Sequence, residues 1–164
     1  MEGSIKTYMR KIIVTTISWM AVALWMLLIF RLSSQVAVKS NGMSMGITDF
    51  IINIFNKLFH SEISGSGSLN HIVRKTAHFM AYLILGILSF NALKISCMGS
   101  WRRPAFSLGL CVLYAISDEL HQVFVSGRSG QASDVFIDSL GAGIGIAIFL
   151  LAVSFHESRQ HKNQ

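Results

Sequence analysis

Apolar residues run along this chain in four long stretches, and polar residues gather at their ends. Residues 12–30 carry no charge and are long enough for the hydrocarbon core of a bilayer, which takes about 20 residues of helix. That length exceeds the apolar core of a signal peptide, about 7–15 residues, and no small-x-small cleavage pattern follows, so the stretch reads as a first transmembrane helix. Residues 77–93 predict a second. A third begins at Pro104, a residue suited to a first helical turn. It is expected to continue through residues 118–122, because the apolar part alone is short for a bilayer. A fourth runs from Asp134 or Val135 to Phe155, with Asp138 in its first turns. The expected fold is all-α: a polytopic membrane four-helix bundle, its helices at 12–30, 77–93, 104–122 and 135–155, forming one domain over 1–164.

The segments between are less regular. In the long first loop, Met43, Ile47, Phe50, Ile51, Ile54 and Leu58 recur at helical spacing. That stripe predicts an amphipathic helix, either lying on the outer bilayer surface or packed over the mouth of the bundle. Residues 61–68, with Gly65 and Gly67, read as a flexible connector. The fourth helix is rich in small residues. Ser139, Gly143 and Ala147 fall at four-residue spacing, as do Gly141 and Gly145. Small residues let helices approach closely, either within the bundle or across a homodimer face.

Composition agrees with the pattern. The chain of 164 residues is 52% hydrophobic and only 13% charged, against about 25% charged in average globular proteins. A pI near 9.7 raises nucleic acid as a partner. The basic residues bracket the apolar runs instead of forming a patch with interleaved aromatics, so nucleic acid is not expected. Cys97 and Cys111 are the only cysteines, too few for a disulfide framework.

Charge also orients the chain. With both termini in the cytoplasm, the tails and the 94–103 loop carry eight basic and two acidic residues, while the opposite side carries six of each. The positive-inside rule favours that topology. It sends three polar groups that are separate in sequence to one outer face. Lys75, His78 and Tyr82, at i, i+3 and i+7, share a face of the second helix. Asp118 shares a face with His121 and Gln122, at i+3 and i+4, and with Glu119 they end the third. Asp134 and Asp138 lie one turn apart at the start of the fourth. Arg74 precedes the first group. Arg128 stands in a Gly127-Arg128-Ser129-Gly130 turn, whose glycines favour a turn backbone.

Polar groups in so apolar a chain need a partner, water or a function. Snorkelling charges that stabilise helix ends are the plain alternative. His78 or His121, beside Asp118, Glu119, Asp134 or Asp138, could serve acid–base catalysis. Two histidines and two carboxylates would suffice in kind for a divalent metal, though no spacing matches a metal motif. Arg74, Lys75 and Arg128 could hold a phosphate or carboxylate, with Tyr82 and Gln122 in support.

Ser33-Ser34-Gln35, Arg74-Lys75-x-x-His78-Phe79-x-x-Tyr82-x-x-Leu85-Gly86, Ser117-Asp118-Glu119-x-His121-Gln122-x-Phe124-Val125-x-Gly127-Arg128 and Asp134-Val135-x-x-Asp138-x-x-Gly141 together resemble the VanZ-like membrane family, from about residue 30 to 150. The resemblance implies a small multi-pass protein of the bacterial cell envelope. The family takes its name from a glycopeptide-resistance accessory protein linked to teicoplanin. The first expectation is therefore an outward-facing pocket for a lipid-linked or cell-wall anionic group, with a membrane lipid or lipid-linked precursor as partner. The second is an intramembrane hydrolase or transferase using a His–carboxylate pair. A third is a proton-coupled transporter subunit, but the polar residues lie at one end of the helices and no inverted repeat is evident.

Overall fold

A computed structural model of the chain describes residues 2–35, 42, 45–47, 49–50, 66–96, 99, 101–127 and 130–162. Its long helices are α1 (Glu2–Ser33), α2 (Ser66–Ile95), α3 (Arg102–Gln122) and α4 (Ala132–Lys162). The described residues contain no strand. Each helix begins ahead of its apolar run, α2 most of all, starting at Ser66 where the apolar run begins at 77. Once a helix is nucleated, adding a residue is easy, so polar neighbours continue it. Ile5–Ser33, His71–Ile95 and Ala132–Phe155 are long and apolar enough to cross a membrane. α3 has 21 residues, about 30 Å of helix; Arg102, Arg103, Asp118 and Glu119 at its two ends lower its overall hydropathy.

Contacts between helices fix their directions. Trp19 meets Ser96 and Trp25 meets Ala81, so α1 and α2 run antiparallel. Ser89 meets Ser107 and Tyr82 packs near Tyr114, so α2 and α3 are antiparallel too. Lys75 meets Asp134 and Phe90 meets Phe149, so α2 and α4 run parallel. The helices therefore alternate up and down. The start of α1 and the end of α4 lie at one end of the bundle, and the polar residues of α2, α3 and α4 at the other. Trp101 stacks under Arg102, 4.6 Å from ring centroid to guanidinium carbon, at the termini end.

α2 is the centre of the bundle. It packs against all three other helices and most broadly against α4. Glycine makes that contact close: a Cβ at Gly141, Gly145 or Gly86 would fall within 3.0 Å of the backbone oxygen of Phe79, Leu83 or Ala142 respectively. The Gly141/Gly145 row is thus used inside the bundle, while Gly143 has open space around it. Between α2 and α3 the buried Ser89 and Ser107 hydroxyls bond at 2.5 Å, with the free Cys111 thiol 3.6 Å from Ser89 Oγ. α1 and α3 meet along a thin seam, joined by the Tyr114 hydroxyl donating to Met26 O at 2.5 Å.

The exterior carries large apolar side chains, among them Ile13, Ile17, Leu24, Leu113, Leu151 and Phe155. A surface of this extent suits hydrocarbon rather than water. In the first loop, residues 42, 45–47 and 49–50 are helical, and Met45, Ile47 and Phe50 are exposed. Most of the expected amphipathic stripe, Met43, Ile51, Ile54 and Leu58, lies outside the described residues, as does Cys97.

Candidate functional site

Arg74, Lys75 and His78 of α2 face Asp134 and Asp138 of α4 across a cavity of about 70 Å³, with Gln122 at the end of α3. The parallel course of α2 and α4 produces this meeting. Each helix places its polar residues one turn apart at the same end, so they pair in register. Lys75 Nζ donates to Asp134 Oδ1 at 2.7 Å, and Ser133 Oγ donates to the same oxygen at 3.3 Å. One turn deeper, His78 Nδ1 lies 3.7 Å from Asp138 Oδ2, and the Asp138 side chain is wholly buried. Among the described residues neither oxygen of Asp138 has a hydrogen bond. Among the described residues Arg74 has no ion pair.

Below the cavity the interior stays polar. Tyr82 is fully buried and its hydroxyl is unpartnered; Asp118 and Asp138 are electrostatic neighbours of that hydroxyl. Asp118 accepts from Gln122 Nε2 at 3.3 Å through one oxygen, while the other is buried without a partner. Ser33, at the end of α1, also has a buried, unpartnered hydroxyl. Unsatisfied groups of this kind are costly in an apolar interior, so a cluster of them calls for an explanation.

The shared face expected for Asp118, His121 and Gln122 divides. His121 turns to α1, where its Nε2 lies 3.1 Å from Ser34 Oγ and its ring 4.6 Å from the Phe30 ring. It closes the pocket end of the α1–α3 seam and does not line the cavity. Successive helical residues are set about 100° apart, so Gln122 points toward α4 when His121 points toward α1. Glu119 points the same way as Gln122 and braces a loop. Its Oε2 accepts from Gln131 N at 2.9 Å and its Oε1 from Gln122 Nε2 at 3.2 Å. Gly130 sits so near Glu119 O that a Cβ there would clash, and Gly127 takes a positive φ of 76°, a region that glycine enters without strain.

Five of the residues expected from sequence thus line the cavity: Lys75, His78, Gln122, Asp134 and Asp138. Tyr82 and Asp118 lie buried beneath it, and Glu119 and His121 make structural contacts beside it. Arg128 lies outside the described residues, directly after the cavity-lining Gly127. Of the partners of His121, Ser34 stands out in the sequence as part of the Ser33-Ser34-Gln35 motif and Phe30 only as the last residue of the first apolar run. Among the described residues no three of His, Cys, Asp and Glu come together as metal ligands would.

A family model described as VanZ/LLP1 matches residues 18–153. The chain belongs to the VanZ/LLP1 family. The match takes in every residue of the polar end, from Ser33 of α1 to Asp138 of α4, so the cavity belongs to the family domain itself and not to an appended segment. No curated protein and no solved structure matches this VanZ/LLP1 chain.

Proposed function

We propose that this VanZ/LLP1 protein is a multi-pass protein of the bacterial cell membrane that binds the anionic group of a lipid-linked or cell-wall intermediate in its polar cavity. The excess of Lys and Arg at the termini end supports a cytoplasmic location for that end and an outward-facing cavity, with α3 as the fourth spanning helix. The observation that carries the reading is the convergence of Arg74, Lys75 and His78 on one small cavity. Asp134 fixes Lys75 in place, and Arg74 presents a guanidinium suited to phosphate or carboxylate. A volume of about 70 Å³ holds several waters' worth of ligand, enough for a small head group. Sequestering such a group at the outer leaflet is a route by which a protein of this kind could alter glycopeptide (teicoplanin) susceptibility.

The direct test is equilibrium binding of glycerol 3-phosphate to the purified full-length protein in nanodiscs. Arg74→Ala and Arg128→Ala are each expected to weaken binding by about tenfold or more, as loss of a charge-assisted contact does, and His121→Ala to leave it intact. Unchanged affinity in both arginine variants sinks the reading.

A second reading, an intramembrane hydrolase or transferase, draws on one specific observation: a wholly buried carboxylate, Asp138, beside His78. A carboxylate that orients an imidazole is the arrangement of a general base. At 3.7 Å the pair stands beyond hydrogen-bond reach, and it would have to tighten around substrate. Turnover by the purified protein that disappears in His78→Ala while folding persists would establish this reading over simple binding.

A further inference from the structure

Among the described residues, two charged groups of the cavity keep binding capacity that its walls do not use. Lys75 and Asp134 neutralise each other at 2.7 Å. That leaves Arg74, without an ion pair among the described residues, and Asp138, which is wholly buried with both carboxylate oxygens free of hydrogen bonds. His78 Nδ1, at 3.7 Å, stands within ion-pair range of Asp138 but beyond hydrogen-bond reach, so it leaves the carboxylate's acceptor positions open. An anion alone would answer Arg74 and be repelled by Asp138. A cation alone would answer Asp138 and leave Arg74 unmatched. Asp138 is wholly buried, where a charge without a full partner is strongly unfavourable, while Arg74 is half-buried and open to a ligand, so the ligand that fits both brings both signs.

We infer that the cavity takes a zwitterionic group, a primary ammonium seated on Asp138 beside a phosphate or carboxylate held at Arg74. This rests on the anion-binding reading above and narrows it. A primary ammonium has three N–H donors, which match two unoccupied carboxylate oxygens. A quaternary ammonium has none and is bound by aromatic cages. Among the described residues the cavity has no aromatic lining beyond the His78 imidazole. Its volume of about 70 Å³ also favours the smaller head. The unpartnered Tyr82 hydroxyl and Asp118 oxygen behind Asp138 keep the floor rich in acceptors.

Aminoethyl phosphate supplies this chemistry either as a free small molecule or as the head of phosphatidylethanolamine. The test measures binding of O-phosphoethanolamine, O-phosphocholine and glycerol 3-phosphate to the full-length protein in nanodiscs of phosphatidylglycerol alone. O-Phosphoethanolamine is expected to bind at least about tenfold more tightly than the other two, the scale of leaving a buried charge unpaired. Asp138→Asn is expected to remove that preference while glycerol 3-phosphate still binds. Should the variant not fold, the ranking of the three ligands on the unaltered protein decides alone. Equal affinity for all three overturns the zwitterion inference and leaves the anion reading standing. No binding of any phosphate overturns both. Adding phosphatidylethanolamine to the nanodisc separates the sources. Competition with the soluble probe supports a lipid head group, and its absence supports a free amino-phosphate; the zwitterion chemistry holds in both.

Discussion

Substituting alanine at Gly141, Gly143 and Gly145 in turn probes the contact that builds the site. The three positions share a helix and a chemical change, and they differ in what the new methyl meets. In α4, replacing glycine by alanine contributes up to about 1 kcal/mol of helix propensity at each position. At Gly143 nothing lies within 4 Å of the added Cβ, so that gain stands unopposed. At Gly141 and Gly145 the Cβ would lie under 3.0 Å from Phe79 O and Leu83 O, where ordinary contact begins at 3.4 Å. These are backbone oxygens of a helix and cannot rotate away. α2 and α4 must part by about 1 Å, and overpacking of this kind typically costs about 1–3 kcal/mol. Closely packed small-residue contacts are also a main source of helix association in membranes. The expected result is a net loss of about 1–2 kcal/mol for Gly141→Ala and Gly145→Ala and a neutral or slightly positive change for Gly143→Ala. Reversible unfolding of the purified protein in mixed detergent micelles reads the difference. Anion binding should follow it, since Lys75 meets Asp134 two turns from Gly141 on the same pair of helices. Three equal stability changes would refute the close α2–α4 contact and the account of the site that depends on it.

Other substitutions test single contacts. A double-mutant cycle on Lys75→Met and Asp134→Asn should give a coupling of about 1 kcal/mol, near the top of the range for exposed pairs because both side chains are mostly buried; zero coupling would mean the pair does not hold Lys75 in place. Glu119→Ala should destabilise the protein by about 1–3 kcal/mol by orphaning Gln131 N and raise protease cleavage in the 123–131 loop. Glu119→Gln, which keeps an acceptor, should lose much less, and equal losses would dismiss the brace. His121→Ala should lower stability by about 1 kcal/mol through its contacts with Ser34 and Phe30 and change anion affinity by no more than about twofold, because it lies outside the cavity. A tenfold loss of affinity would put His121 in the site after all.

Which parts of this site were legible in sequence follows from helix geometry. Lys75, His78 and Tyr82 recur at one face of a single helix, and Asp134 and Asp138 do the same one turn apart, so their common direction needed no knowledge of neighbours. Charge asymmetry along the chain then sent both groups to one end, and the contacts between α2 and α4 place them there together. The end of α3 behaves differently. Asp118, Glu119, His121 and Gln122 occupy little more than one turn, and one turn faces every side. Which residue addresses α4 and which α1 depends on where those helices stand, and for α4 that rests on its close contact with α2 at glycines 86, 141 and 145. The same limit hid the roles of Ser34 and Phe30, which matter only because α1 runs beside α3 at the pocket end. The consequence is chemical. Placing His121 against α1 removes one of two imidazoles from the cavity and leaves a single histidine beside two acids, one of them already paired with Lys75. A site so furnished is poor in ligands for a metal and well matched to a small group that carries both charges.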